Sequence, residues 1–227
     1  MVGAMNKTSY TNLAKAWEYA EDVAFAKQSE ALNALRIHAE EVGFPQGSAA
    51  QADFLRLLVG LTGARSIIVV GTGSVVETYQ LIAGLGGTGL LTAVDSSPEG
   101  TALIRRMFTR LDNQTGTTLR VVNVAAGQFL PRLNAADYDL IVVAGDAGNY
   151  APAFAQAERL LRRGGTVVLT DVLAFASPVS NGGLLNPADR GDKATAMREL
   201  LEAVQDDERF DVTLVPVGTG LVLCVKR

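Results

Sequence analysis

Only one cysteine, Cys224, occurs in the 227 residues, which excludes an intrachain disulfide. It lies in the last apolar run and reads as a core residue. Histidine also occurs once, and His38 sits in the charged helical stretch from Arg36 to Glu41, where it reads as a solvated side chain rather than a base. Aromatic residues make up only 6%, so aliphatic side chains must fill the core. Positive charge is in deficit: 20 Lys and Arg against 24 Asp and Glu give a net charge of -4, and the basic residues are scattered. No stripe exists to follow a phosphate backbone, so nucleic acid is not an expected partner. Long hydrophobic runs are missing too. Thr166 to Leu169 and Leu119 to Val122 are strand-sized, well short of the roughly twenty residues a membrane helix needs. The N-terminal residues lack the charged, apolar, small-residue order of a secretory signal, and the expected address is cytoplasmic with no membrane partner.

What is present suits one globular domain over residues 1–227, with 48% hydrophobic and 19% charged residues and no low-complexity divider. Residues 1–62 read as a helical part. Leu13, Trp17, Ala20 and Val23, then Phe54, Leu55, Leu57, Leu58 and Leu61, recur at three and four, and Phe44-Pro45-Gln46-Gly47 breaks the stretch. From residue 63 onward strands and helices alternate. Ser66 to Val70 reads as strand, Val75 to Leu85 as helix, Gly89 to Val94 as strand and Pro98 to Leu111 as helix. Strand Leu119 to Val122, a short helix at Gly127 to Leu133, strand Asp139 to Val143, helix Ala153 to Leu161 and strand Thr166 to Thr170 follow, with Gly164-Gly165 expected to stop the last helix. Uninterrupted aliphatic strands are those of a parallel sheet covered on both faces. After a long segment from Ala174 to Asp192, read as a loop over the strand tips that gates an acceptor pocket, helix Ala194 to Val204 leads to strands Val212 to Val215 and Leu221 to Val225. The short Pro216 to Gly220 turn makes this last pair antiparallel. The expectation is an α/β, Rossmann-like, mostly parallel seven-stranded sheet with an antiparallel C-terminal hairpin and extra N-terminal helices.

Val69-Val70-Gly71-Thr72-Gly73-Ser74 carries an aliphatic strand into a glycine turn and a helix, a place where backbone can approach a ligand closely. Asp95 ends the second strand 24 residues after Gly71, the position from which a carboxylate accepts the ribose hydroxyls of an adenosine cofactor. Its competing reading is a cap for the Pro98 helix, a task for which Ser96 and Ser97 also qualify. A nicotinamide dinucleotide is disfavoured because Val76 stands at the third glycine of that pattern and because of the terminal hairpin.

Leu61-Thr62-Gly63-Ala64, Tyr138-Asp139-Leu140, Leu160-Leu161-Arg162-Arg163-Gly164-Gly165, Asp206-Asp207-Glu208-Arg209 and Leu214-Val215-Pro216-Val217-Gly218-Thr219-Gly220-Leu221 resemble bacterial O-methyltransferases of the catechol and caffeoyl-CoA type. The resemblance covers about Ala49 to Arg227. It implies S-adenosylmethionine (SAM) as cofactor, with Gly71, Thr72 and Gly73 at its methionine end and Ser74 beside them among the cofactor-binding residues. Asp95 and Ser96 would meet ribose, Ala125 and Ala126 would border adenine, and the segment Ala144, Gly145, Asp146 and Ala147 would face the transferred methyl, with Ala144 and Gly145 counted among the cofactor-binding residues. It also implies a small-molecule acceptor and a homodimer formed through the N-terminal helices.

This chain departs from that family at several positions. A divalent metal would be held by an Asp after the fourth strand and an Asp-Asn pair after the fifth, but those positions read Ala144, Asp171 and Val172, so no divalent metal is expected. The assisting lysine falls at Ala147, the loop's flanking residues are Val69 and Val75, and Glu77 replaces the serine that greets the methionine carboxylate, where it reads equally as a partner for the ligand's ammonium or as an acid favoured in the first turn of a helix. Asp146 and Asp171 are the candidate bases, since both lie at strand tips where ligands collect. Each has a structural reading as a turn or cap residue, and Tyr150 is equally open to packing or function. The leading expectation is a SAM-dependent O-methyltransferase for a small hydroxylated acceptor. The alternative is a catalytically degraded homologue that binds SAM as a sensor or dimer partner.

Overall fold

Seven strands line up in the order β3-β2-β1-β4-β5-β7-β6 in the computed structural model, which describes residues 7–71, 73–173, 184 and 186–227. The elements are α1 (Lys7–Ala26), α2 (Glu30–Glu41), α3 (Ala49–Thr62), β1 (Ser66–Val70), α4 (Val75–Leu85), β2 (Leu90–Asp95), α5 (Pro98–Leu111), β3 (Thr118–Asn123) and α6 (Ala126–Phe129). After a 3-10 turn at Leu130–Arg132 come β4 (Tyr138–Val143), α7 (Ala147–Leu160), β5 (Leu161–Leu169), α8 (Asp192–Gln205), β6 (Phe210–Val215) and β7 (Leu221–Lys226). Strands β1 to β5 pair in parallel, while β7 runs antiparallel to both β5 and β6. This is the expected α/β sheet with its antiparallel end.

Alternation within the strands divides the core into two layers. Ile67, Val69, Leu91, Ala93, Leu140 and Val142 face α2 to α5. Ile68, Val70, Val94, Ile141, Val143, Val167 and Leu169 face α6, α7 and α8. The order passes from β1 outward to β3, then returns to β4 on the other side of β1. The C-terminal tips of β1 and β4 therefore flank the point where connections diverge, the usual place for a ligand in such sheets.

Three boundaries correct the sequence reading. The helical prelude breaks at residues 27–29 as well as at 42–48, because the Ser29 hydroxyl caps α2 by accepting from Leu32 N at 3.2 Å. Helix α7 starts at Ala147 rather than Ala153 and runs through Pro152. Burial of Asn149 and Tyr150, with Asn149 Nδ2 donating to Ala144 O at 3.0 Å, outweighs the helix-breaking tendency of Gly148 and Pro152. Gly164-Gly165 does not stop that helix. The backbone is already extended at Leu161, and the glycine pair sits inside β5 where its register with β4 shifts, Gly164 having φ +77°. Cys224 is buried in β7, where burial pushes its thiol up to about 12. No helix among the described residues is long and apolar enough to cross a membrane.

Candidate active site

Strand β1 ends in the glycine loop, and three features fix the loop's shape. Gly71 N donates to Val94 O, Asp95 Oδ2 accepts from Gly73 N at 2.7 Å, and the Gln46 side chain fits between the loop and α4. Gln46 Oε1 accepts from Val75 N at 3.0 Å and Val76 N at 3.2 Å, while its Nε2 donates to Phe44 O and Gly73 O, each at 2.9 Å. Two donors facing the oxygen and two acceptors facing the nitrogen define the amide's orientation. The first turn of α4, whose orphan N–H groups carry partial positive charge, is thus capped by a side chain from the prelude. Ser74 stands at the N-cap position but makes no capping bond.

Asp95 is 2% exposed and holds both Gly73 N and, through Oδ1, Ser97 N at 2.8 Å. Burial pushes its carboxyl up to about 6 despite these two bonds, and the charge of Asp146 adds to the shift. Capping of α5 falls to Ser97, which accepts from Gly100 N at 3.0 Å, and this releases Asp95 from the competing cap role. Gly100 is packed so closely that a Cβ there would lie 2.6 Å from Asp95 Oδ2 and 2.8 Å from Gly73 N. Ser96 is exposed, Ala125 is exposed at the start of α6, and Ala126 is buried behind it. Thr72 lies outside the described residues, as do residues 174–183 and 185 of the segment read as a loop.

At the tip of β4, Ala144 is buried, Gly145 is half-buried and Asp146 is exposed at the start of α7. Asp171, two residues past β5, is the better-enclosed candidate base. Its backbone takes φ +56°, an uncommon conformation that aspartate tolerates better than most residues. Oδ1 accepts from Thr219 Oγ1 at 2.7 Å, and Oδ2 meets Lys193 Nζ at 2.7 Å and Tyr150 OH at 3.4 Å. Lys193 Nζ also donates to Gly145 O at 2.7 Å and stands 5.2 Å from the Tyr150 ring centre. The Tyr150 phenol is held well above its ordinary range by burial and then by the Asp171 charge, so it stays neutral. Packing and contact with the candidate base therefore coincide at Tyr150.

Glu77 points inward, at 3% exposure, with Ser74 Oγ donating to its Oε2 at 3.3 Å. Burial raises its carboxyl above the usual range and the Asp171 charge adds to this, while Arg36 opposes. His38 is half-buried on α2 with Arg106 at 3.0 Å and stands apart from these groups.

Lys193, Gln46 and Thr219 were not singled out from the sequence. One signal for Lys193 was available: it is a cation in the first turn of a helix, where the helix dipole disfavours positive charge.

The residues present suit the nucleoside end of a SAM-type cofactor. A Cβ at Gly71 would stand 3.2 Å from Ala144 Cβ, so the glycine turn packs backbone directly against the tip of β4 where only small residues fit, and Asp95 adjoins it with lone pairs beyond those its backbone partners use. Contact with a ribose requires the Gly73 turn, which covers Asp95, to give way. A divalent metal finds a poorer set. Ala144 and Val172 offer only apolar side chains, Asp171 is the one carboxylate left at those three positions, and no group of three or more His, Cys, Asp or Glu gathers among the described residues.

The chain belongs to the O-methyltransferase family, whose model matches residues 23–227. A Mycolicibacterium smegmatis protein named as an O-methyltransferase is 31% identical over 194 residues, 85% of this chain and 89% of the relative. One so named from Mycobacterium tuberculosis is 30% identical over 210 residues, 92% and 90% of the two chains. Among solved structures, the O-methyltransferase from Bacillus cereus in complex with S-adenosylhomocysteine (SAH) shares the fold with TM-score 0.75 at 21% identity, covering 94% and 97%. TomG from Streptomyces achromogenes, an O-methyltransferase of tomaymycin synthesis solved with SAM, gives 0.73 at 21%, covering 92% and 98%.

Proposed function

We propose that this chain transfers a methyl group from SAM to a hydroxyl of a small acceptor, with Asp171 as the base and no divalent metal. The observation that carries the reading is Asp171 itself, a carboxylate held at the strand tips by Thr219 and Lys193 on an uncommon backbone. Family membership supports methyl transfer, and the SAH- and SAM-bound relatives support the cofactor.

Bound SAM supplies a methyl group already activated on a sulfonium, so the protein's share is placement and one proton transfer. Gly71, Thr72, Gly73 and Ser74 would border the methionine, and buried Glu77 offers a carboxylate to its ammonium. Asp95 would accept the ribose hydroxyls beside Ser96, Ala125 and Ala126 would edge the adenine, and Ala144 and Gly145 would face the methyl. Asp171 takes the acceptor's proton, and Asp146, exposed at the start of α7, is the second choice. Metal-free action is supported by the donor set, since Ala144 and Val172 cannot ligate. The organised partners of Asp171 favour this chemistry over a degraded SAM-binding sensor.

Calorimetric titration with SAH in EDTA and in Mg²⁺, followed by methyl transfer from SAM to a phenol panel, tests the reading. Micromolar binding and turnover, both indifferent to Mg²⁺, are expected. Turnover that requires Mg²⁺ removes the metal-free part, and absence of SAH binding removes the whole. We also propose a homodimer through the prelude helices, where Trp17, Tyr19 and Phe25 remain 56%, 72% and 46% exposed in the single chain. Sedimentation equilibrium at the monomer mass would end that proposal.

A further inference from the structure

Lys193 stands out among the groups at the strand tips because its local position works against it. A lysine in the first turn of α8 faces the positive end of the helix dipole, so helix energetics do not place it there. The ammonium is held across the tips of two strands, 2.7 Å from Gly145 O after β4 and 2.7 Å from Asp171 Oδ2 after β5. With side-chain exposures of 23% for Lys193 and 14% for Asp171, the pair is neither sealed in the core nor loose in solvent. Thr219 fixes the other carboxylate oxygen, so the face of Asp171 turned to Lys193 is defined.

We propose that Lys193 takes the acceptor oxygen as Asp171 takes its proton, and that the site is built for a single phenolic hydroxyl rather than a chelating pair; this rests on the methyl-transfer reading above. The acceptor O–H proton passes to Asp171 Oδ2. That oxygen then carries less charge, and the ammonium's hydrogen bond turns from it to the acceptor oxygen, now anionic. The oxygen's electron pair forms the bond to the methyl carbon while the carbon–sulfur bond breaks, its pair remaining on sulfur. The products are a methyl ether, SAH and a protonated Asp171, which returns its proton to water. A carboxylate base suits phenols, which titrate near 10, far better than aliphatic alcohols. One ammonium offers a point charge to one oxygen, whereas a chelated vicinal pair would need a metal with open positions.

The test uses 4-nitrophenol, whose phenolate is coloured, added to the 227-residue chain saturated with SAH. Wild type is expected to bind it as phenolate. Lys193→Met should lower the bound phenolate about tenfold or more, the loss expected for one charge-assisted hydrogen bond. Lys193→Arg should restore part of the signal, with SAH affinity unchanged in both variants. Lys193→Gln serves if Lys193→Met does not fold. In turnover the Lys193→Met loss should fall on kcat more than on KM. A phenolate signal that survives in Lys193→Met, no signal in wild type that binds SAH, or a tenfold preference for 4-nitrocatechol over 4-nitrophenol would each overturn the assignment. Failure of wild type to bind SAH would bring down the methyl-transfer reading itself, and this inference with it.

Discussion

Asp95 and Asp171 both lie at strand tips of one sheet, yet the protein holds them in opposite ways. Asp95 is gripped by backbone: Gly73 N and Ser97 N, with Gly100 packed against it, all from segments within 22 residues. Asp171 is gripped by side chains, Thr219 from the β6–β7 turn and Lys193 from α8. A carboxylate anchored by main chain changes partners only when the backbone itself moves, here the Gly73 turn, which ties any contact it makes to the shape of that loop. One anchored by a lysine and a threonine can exchange a proton while its neighbours rotate, which suits chemistry.

Disabling each acid in turn breaks the comparison most directly. Asp171→Asn keeps the shape and removes the base, so kcat should fall about a hundredfold or more while SAH affinity measured by calorimetry stays close to wild type. An equal loss in both would erase the division of labour. Asp95 should impose a pH dependence on binding instead. Its carboxyl is raised from 3.8 to about 6 in the folded chain, so it is protonated below about 6 and, in the proposed ribose contact, would accept the hydroxyls poorly there. SAH affinity should therefore weaken as pH falls from 7.5 to 5, and Asp95→Asn should flatten that profile. The linked stability runs the other way. The folded state binds the extra proton between pH 3.8 and about 6, so this group's contribution to stability declines as pH rises through that window. The smallest effect belongs to Gly100→Ala. Inside a helix this change ordinarily stabilises by about 0.5–1 kcal/mol. Here the new methyl would meet Asp95 Oδ2 at 2.6 Å and Gly73 N at 2.8 Å, and the overpacking cost of about 1–3 kcal/mol should win. A raised melting temperature would show that the Asp95 grip is slack.

The same contrast explains what could be read from sequence. Strand β1 and helices α4 and α5 match their expected limits because local punctuation marks them: Gly71 after β1, Ser74 and Gly86 around α4, and Ser97-Pro98 at the start of α5. Asp95 was legible because its partners lie in the adjoining loop and helix. Asp171 was legible only as a residue at a strand tip. Lys193 follows it by 22 residues, and nothing in the intervening segment signals that α8 would swing back over β4 and β5. Helix α7 was misread because the burial of Asn149 and Tyr150, a tertiary effect, decided its start. The Gln46 cap reaches 29 residues forward and has no local pattern at all.

That cap has a consequence for any ligand seeking the N-terminus of α4. The Gln46 amide is tethered beside the Val75 and Val76 N–H groups and behaves as a competitor at high effective concentration. An incoming group gains only the difference between its own bonds and those it displaces. Amide would outrank most neutral rivals, and a full negative charge would have the advantage. The helix end therefore filters its visitors by charge.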